Sequence, residues 1–228
     1  MELKKVTVLT GNYGCGKTNL AVNIALSLAN KSKVSIVDFD TVNPYFRTAD
    51  FTEMLESKGI NVVYPQYAGT NLDVPILNFD LEEIILNSDY TIIDVGGSDA
   101  GAYPLGRYKR LFEELGSDIE ILYVFNMYRH IGNSIDEALQ MMREIENAVG
   151  LSCTALVNNS NLGLDTTTET INQSLDFAND LERLSGLPLR FTCVSTDERG
   201  DKYRFPVKRL VILPWETNIG EEKCNDND

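Results

Sequence analysis

Hydrophobic and polar positions along this chain follow two alternating patterns. Short runs rich in β-branched residues predict strands, and segments with helical periodicity lie between them. This alternation is typical of βα units that form a mostly parallel sheet, and the nearly continuous apolar runs indicate strands covered on both faces. The predicted strands span residues 6–10, 34–38, 90–95, 119–126, 154–158, 190–194 and 210–213.

The helical segments complete an α/β pattern. The third of them begins at Ser134 and has Glu137 three residues later, a spacing that suits a capping box. No internal repeat and no low-complexity linker divides the chain, so we predict one domain over residues 1–215 and a polar, disordered tail over 216–228. The predicted helices span residues 17–29, 81–86, 134–149 and 168–184.

Composition and charge exclude several classes of protein. The 228 residues are 43% hydrophobic and 24% charged, which is ordinary for a globular protein and unlike a disordered or fibrous one. A net charge of −14 argues against nucleic-acid binding, which depends on basic side chains, and against attraction to anionic lipid. A small basic pocket can still hold a nucleotide, because the local potential matters more than the total charge.

Cysteine usage and the chain start point to the cytoplasm. The four cysteines form no C-x-x-C pair, and the single histidine is not next to any of them, so we expect no zinc site. No signal peptide is recognisable, and no apolar stretch reaches the ~20 residues that cross a bilayer. We therefore expect a cytoplasmic protein without a membrane segment.

A glycine-rich loop stands between the first predicted strand and the first predicted helix. Residues 11–18 read Gly-Asn-Tyr-Gly-Cys-Gly-Lys-Thr and match the phosphate-loop pattern G-x-x-x-x-G-K-[ST]. Main-chain N–H groups of such a loop surround phosphates, Lys17 places its charge on the β and γ oxygens, and the Thr18 hydroxyl binds Mg²⁺. The candidate nucleotide-binding residues here are Gly11, Asn12, Tyr13, Gly14, Cys15, Gly16, Lys17, Thr18 and Asn19.

Carboxylates end two of the predicted strands. Asp94 closes an apolar strand and is followed by Gly96 and Gly97, which is the Walker B arrangement. We predict that Asp94 contacts Mg²⁺ through water and that the main-chain N–H of Gly96 or Gly97 approaches the γ-phosphate. Asp38 and Asp40 end another strand as an Asp-x-Asp pair, and in an extended segment both side chains face the same way.

The phosphate loop, the Asp-x-Asp pair and the Ile-Ile-Asp-Val-Gly-Gly segment over residues 92–97, in this order, resemble the MinD/ParA-type P-loop ATPases. The resemblance covers roughly residues 4–215. It implies a P-loop NTPase three-layer sandwich, ATP or ADP with Mg²⁺ as ligands, and often a homodimer around the nucleotides. It also implies that Asp40 polarises the attacking water, which makes Lys17 and Asp40 the predicted catalytic residues, and Thr18, Asp40 and Asp94 the predicted metal ligands.

The loop departs from the family pattern x-K-G-G-x-G-K-[ST] at two positions. Asn12 stands where the family has a lysine that reaches the partner subunit's nucleotide, and Tyr13 stands where the first paired glycine belongs. Asn12 carries no charge, so neither the sandwiched dimer nor its stimulated hydrolysis follows from this loop. Hydrolysis that is slow, or that needs a positive charge from another protein, fits the departure.

An asparagine-rich segment follows the fifth predicted strand. Asn158 lies where the family places the asparagine that touches the base. A guanine reader has N-K-x-D, whose carboxylate accepts two hydrogen bonds, whereas Asn161 occupies the last position here. Adenine is therefore favoured, with Asn158 as the predicted contact, and a loop that binds no ligand is the alternative.

Two further segments are candidates for regulation. Residues 41–47 directly follow the Asp-x-Asp pair, where a segment that rearranges with the nucleotide state would lie, and a surface loop is the alternative. Residues 101–110 end in Arg107, Lys109 and Arg110, a basic cluster on an acidic chain. This cluster could bind a protein, an anionic substrate or a second subunit's nucleotide, or it could be a solvated helix face.

Three functions remain open from sequence. The first is a slow ATPase that acts as a switch for a protein partner, for example in metallocofactor maturation or activation of a redox enzyme. The second is a small-molecule phosphotransferase or ligase, for which the basic cluster is the candidate substrate contact. The third is a nucleotide-sensing module without useful turnover.

Overall fold

A computed structural model describes residues 2–40, 47–65, 79–97, 99–195 and 204–210. Parallel strands form one sheet in the order β3-β2-β4-β1-β5-β6-β7-β8. The strands are β1 (Val6–Gly11), β2 (Val34–Asp38), β3 (Asn61–Val63), β4 (Tyr90–Asp94), β5 (Ile119–Phe125), β6 (Ala155–Asn158), β7 (Leu189–Ser195) and β8 (Arg204–Val207).

Helices cover both faces of this sheet. They are α1 (Lys17–Leu28), α2 (Thr52–Glu56), α3 (Leu81–Leu86), α4 (Asp99–Ala102), α5 (Lys109–Leu115), α6 (Ile135–Val149) and α7 (Thr168–Ser185). One apolar layer joins α1 and α2 to the sheet, and a second layer on the other face joins α3, α5, α6 and α7. The predicted three-layer α/β sandwich with a parallel central sheet is confirmed.

The core forms because the central strands are apolar on both sides. In β1, Val6 and Val8 enter the layer under α6, whereas Leu9 enters the layer under α1, and all three are fully buried. Helix α6 begins as its sequence indicates, since the Ser134 hydroxyl accepts from the Glu137 N–H at 3.3 Å. The Glu137 carboxylate does not complete the capping box, because it accepts from the Gly132 N–H at 3.1 Å rather than from the Ser134 N–H.

Several elements differ from the sequence prediction. The short helices α2, α4 and α5 and strand β3 were not predicted. Helices α2 and α4 and strand β3 have only five, four and three residues, which is too few to show clear periodicity. The last described strand is Arg204–Val207, whereas the predicted strand at 210–213 lies mostly outside the described residues. The predicted tail at 216–228 also lies outside them, and the single-domain boundary at residue 215 stays a prediction.

Candidate nucleotide-binding site

The glycine-rich loop lies at the carboxyl end of β1, in the middle of the sheet. Strand β1 pairs with β4 on one side and β5 on the other, so the loop is flanked by the ends of both neighbours. Ligands of open α/β sheets bind at this edge. Gly16 precedes α1 with a φ of 90°, and a Cβ there would lie 2.5 Å from Asn159 Nδ2, so glycine is required by both conformation and space.

Lys17 places its ammonium group inside the loop. Its Nζ donates to the main-chain oxygens of Gly11 at 3.0 Å and of Asn12 at 2.9 Å. The residue is only 7% exposed, so its charge is held among the carbonyls and amides of the loop rather than in solvent. A buried cation at this position favours an anionic ligand whose oxygens replace the two carbonyl contacts.

Residues from two other strand ends support the loop. The Asn159 amide donates to the Cys15 oxygen at 2.7 Å, a contact that sequence reasoning missed. Gly97, after β4, packs so closely that a Cβ would lie 2.6 Å from the Tyr13 nitrogen and 3.0 Å from Lys17 Nζ. The structure therefore brings Gly97 to the loop, as the predicted γ-phosphate contact requires, although that contact itself stays a prediction.

Asn12 faces the interior rather than the loop opening. It is 4% exposed, accepts from the Tyr123 hydroxyl at 3.0 Å and donates to the Ile131 oxygen at 3.3 Å. Its side chain thus ties the loop to β5 and to the segment after β5. Only its main chain is left for a ligand, whereas the neighbouring Tyr13 is 59% exposed.

The three aspartates that end β2 and β4 converge beside the loop. Asp38 and Asp94 are register partners on the adjacent strands. Asp38 accepts from the Asp40 N–H at 2.9 Å and forms an ion pair with Arg47 Nε at 3.1 Å. Asp40 lies against the segment after β4, since a Cβ on Gly96 would be 3.1 Å from Asp40 Oδ1.

Asp94 is a buried carboxylate with one oxygen that has no hydrogen-bond partner among the described atoms. It is 1% exposed, and its Oδ2 accepts from the Thr48 hydroxyl at 2.9 Å, while Oδ1 has no hydrogen-bond partner among the described atoms. Burial, followed by the charge of Asp38, raises the pKa of Asp94 to about 7, although Thr18, Lys17 and Thr48 oppose the rise. A buried carboxylate oxygen without a partner, close to a threonine hydroxyl, fits a Mg²⁺ site.

The pKa of Asp38 is also subject to opposing effects. Burial raises the pKa of Asp38, and the Arg47 guanidinium opposes the rise. The described residues contain no group of three or more His, Cys, Asp or Glu side chains that could hold a metal ion.

Arg47 and Thr48 were not recognised from sequence as partners of the aspartates. Both are buried, at 7% and 0% exposure, and they bind Asp38 and Asp94 respectively. Nothing in the sequence pattern marks Thr48, because its contact is made by a short 3₁₀ turn over Thr48–Phe51. Residues 41–46 of the predicted switch segment lie outside the described residues.

Asn158 is placed at the end of β6 but is turned inward. It is fully buried, donates to Ser174 Oγ on α7 at 2.7 Å and accepts from the Ser160 N–H at 3.1 Å. Its predicted base contact stays a prediction, and it would require the Ser174 bond to be exchanged. Asn161 donates to the Asn159 oxygen at 2.7 Å and accepts from Gly163 at 3.2 Å, so its amide shapes the same loop.

Two contacts place the basic cluster: Gly106 packs on the end of helix α6, and the Tyr108 ring packs edge-on against Phe39, between Asp38 and Asp40, with ring centroids 5.8 Å apart. A Cβ on Gly106 would be 3.2 Å from the Val149 oxygen, at the carboxyl end of the 15-residue helix α6, about 22 Å along from its start near the loop. Lys109 and Arg110 form ion pairs one turn along their helix, and Arg107 stacks on Tyr108. The suggested contact between this cluster and a substrate at the γ-phosphate stays a prediction, as does the alternative of a solvated helix face.

Comparison with known proteins supports the fold. No protein-family model matches this chain, and no curated protein is similar enough in sequence to count as a relative. Solved structures do match, among them the cell division protein FtsY from Thermotoga maritima, at 20% identity and a TM-score of 0.56, over 85% of this chain and 63% of that one. The chain has the P-loop NTPase fold.

Two further structures agree. The signal recognition particle receptor FtsY from Elizabethkingia anophelis in complex with GDP matches at 16% identity and a TM-score of 0.54, over 86% of this chain and 58% of that one. The signal recognition particle 54 kDa protein from Aeropyrum pernix K1, also in complex with GDP, matches at 16% identity and 0.52, over 84% and 41%. This chain thus spans less than two thirds of the length of these neighbours.

The described residues include no helix with the length and apolar character needed to cross a membrane. These structural neighbours support the P-loop NTPase fold. They do not support the MinD/ParA type specifically.

Proposed function

We propose that this protein binds Mg·ATP and hydrolyses it slowly, as a nucleotide-dependent switch for a protein partner. The observation that carries the proposal is the juxtaposition of a buried ammonium group, Lys17 Nζ, with a buried carboxylate, Asp94, that has an unpartnered oxygen among the described atoms. Triphosphate oxygens complement the first group, and a divalent cation complements the second. The proposal also includes a relationship to the MinD/ParA-type ATPases and action in the cytoplasm.

Binding would use the main chain of residues 11–16, Lys17 and the first turn of α1. Thr18 and Asp94 are the residues that would hold Mg²⁺, with Asp40 at the edge of the site. When bound, Mg²⁺ supplies positive charge to the phosphate oxygens and relieves the repulsion between Asp38 and Asp94. The buried Lys17 ammonium then stays among phosphate oxygens instead of the carbonyls of Gly11 and Asn12.

Adenine is the proposed base, although two structural neighbours were solved with GDP. Guanine recognition through N1–H and the N2 amine calls for a carboxylate, and Asn161 is a neutral amide that is already bonded to Asn159 and Gly163. An Asn161→Asp variant should gain affinity for GTP relative to ATP, because it restores the acceptor. An unchanged ATP/GTP preference would remove this residue from base selection.

Hydrolysis is assigned to Asp40. Its carboxylate lies beside Gly96, at the edge of the site where Asp38 and Asp94 end their strands. Asp40 would accept a proton from the attacking water as the water oxygen bonds to the γ-phosphorus and the bond to the β-bridging oxygen breaks, releasing ADP and phosphate.

The switch is assigned to the segment that follows Asp40. Arg47 and Thr48 hold its described end directly on Asp38 and Asp94, so a change in the charge around those aspartates acts on this segment. A protein partner, or a second copy of the chain in a homodimer, would recognise the result. The sensing module without turnover remains the second candidate, favoured by the interior position of the uncharged Asn12.

Phosphate release tests the proposal. The parent protein should release phosphate from Mg·ATP slowly, and Asp40→Ala should release none while still binding Mg·ATP. Asp118→Ala is a matched control, because it removes an exposed carboxylate just before β5, at the end of the strands opposite the phosphate loop. Equal rates for the parent and Asp40→Ala would remove Asp40 from the mechanism and favour the sensing module.

A further inference from the structure

The segment after β5 is attached to the phosphate loop by the residue that departs from the family pattern. The Asn12 amide donates to the Ile131 oxygen at 3.3 Å, and the next residue, Gly132, has a φ of 82°. A Cβ on Gly132 would lie 2.0 Å from Asn12 Nδ2, so this contact needs glycine. Strand β5 itself runs beside β1, with Val124 as the register partner of Gly11.

The contact between Asn12 and Ile131 holds the segment that carries Arg129 beside the phosphate loop. A turn closes after β5, where the Arg129 N–H donates to the Asn126 oxygen at 3.2 Å. The Asn126 side chain fixes that turn, accepting from Tyr128 at 3.0 Å and donating to the Asn161 oxygen at 3.2 Å. Arg129 is exposed, and within the described part of the chain its guanidinium has no hydrogen bond or ion pair.

The charge of Arg129 reaches the loop. Burial raises the pKa of the Cys15 thiol, and Arg129 is among the cations that oppose the rise, together with Lys17. Cys15 lies in the middle of the loop and is 1% exposed, so the charge of Arg129 acts on a group inside the loop.

The other groups at this edge leave a role for such a cation. Three aspartates converge there, and Arg47 is held by Asp38, so it compensates a protein charge rather than a ligand charge. A triphosphate with one divalent cation is still negative, and Lys17 faces it from inside the loop. A guanidinium offers two donors to phosphate oxygens in a planar fork.

We propose that Arg129, on the segment that Asn12 attaches to the phosphate loop, binds the phosphate chain of the nucleotide. This inference rests on the proposed function and deepens it, because it assigns the same site a second phosphate-binding cation beside Lys17. Asn12 thereby has a positioning role: its amide places the segment that carries Arg129.

Calorimetry with two probes, Mg·ATP and Mg·tripolyphosphate, tests the inference. Arg129→Gln should weaken both probes by the same factor, roughly tenfold, because the lost contact is a charge-assisted hydrogen bond to phosphate and not to the nucleoside. Arg129→Lys should retain part of the affinity. Arg143→Gln removes an exposed arginine on α6 and should bind both probes as the parent does.

The possible outcomes are distinct. Parent-like binding of both probes by Arg129→Gln, with binding lost in Lys17→Ala, would overturn the Arg129 inference and leave the proposed function standing. Weakened binding of Mg·ATP with unchanged binding of Mg·tripolyphosphate would also overturn it, since Arg129 would then act on the nucleoside. Absence of binding by the parent protein would overturn the inference and the proposed function together.

Discussion

Replacing Asp94 by asparagine tests the electrostatic conflict at the proposed metal site. The pKa of Asp94 is raised from 3.8 to about 7 by burial and by Asp38. The folded protein therefore holds a proton on this carboxyl more tightly than the unfolded chain does. Its contribution to stability is favourable at low pH and is lost as the pH rises from the unfolded value towards about 7.

The magnitude follows from the shift. About three pK units at 1.36 kcal/mol each give a penalty of about 4 kcal/mol for keeping Asp94 ionised in the ligand-free protein above pH 7. Lowering the pH from about 8 to about 5.5 protonates Asp94 in the folded protein, which removes about 2 kcal/mol of this penalty. The amide that replaces the carboxyl does not titrate, so the Asp94→Asn variant lacks that part of the pH dependence.

Urea unfolding of the ligand-free proteins at these two pH values measures the difference. The advantage of Asp94→Asn over the parent should be about 2 kcal/mol larger at pH 8 than at pH 5.5. A fixed cost of burying the new amide cancels in this comparison. Asp118→Asn, at an exposed position, controls for the loss of one charge. An advantage that does not depend on pH would refute the reasoning.

Three substitutions test the packing around the site. Gly97→Ala should lower Mg·ATP affinity in calorimetry, because its Cβ would lie 2.6 Å from the Tyr13 nitrogen; unchanged affinity would contradict that close approach. Tyr123→Phe should destabilise the protein by roughly 1 kcal/mol in urea, because Asn12 and the Ala138 oxygen lose a buried donor. Ser134→Ala should cost about 1 kcal/mol through the lost α6 cap, and an equal midpoint would contradict this role.

Sequence reasoning predicted the elements whose ends carry clear local signals. Strand β2 is a mostly apolar run closed by Asp38, and helix α3 begins after the Asp80 cap and ends before Asn87, so both have the predicted bounds. Strand β3 escaped prediction because its three residues acquire their conformation from pairing with β2 rather than from their own pattern. The order of the strands in the sheet is likewise a tertiary property.

In the candidate site, too, local features could be predicted from sequence and tertiary contacts could not. The loop and Asp94 could be located from sequence, because main-chain geometry and the end of a strand are local properties. The partners of these residues could not, since the Thr48 contact to Asp94 and the Asn159 contact to Cys15 join positions 46 and 144 residues apart. The inward orientation of Asn12 and Asn158 depends on Tyr123 and Ser174, which no spacing in the sequence relates to them.

Titration of Mg·ATP into the parent protein and into Lys17→Ala tests the central claim most directly. Loss of the Lys17 ammonium, held at 3.0 and 2.9 Å by the carbonyls of Gly11 and Asn12, should abolish the binding heat while the variant stays folded. Circular dichroism of both proteins checks the fold. Equal binding heats for the two folded proteins would contradict the account of this loop as a triphosphate site.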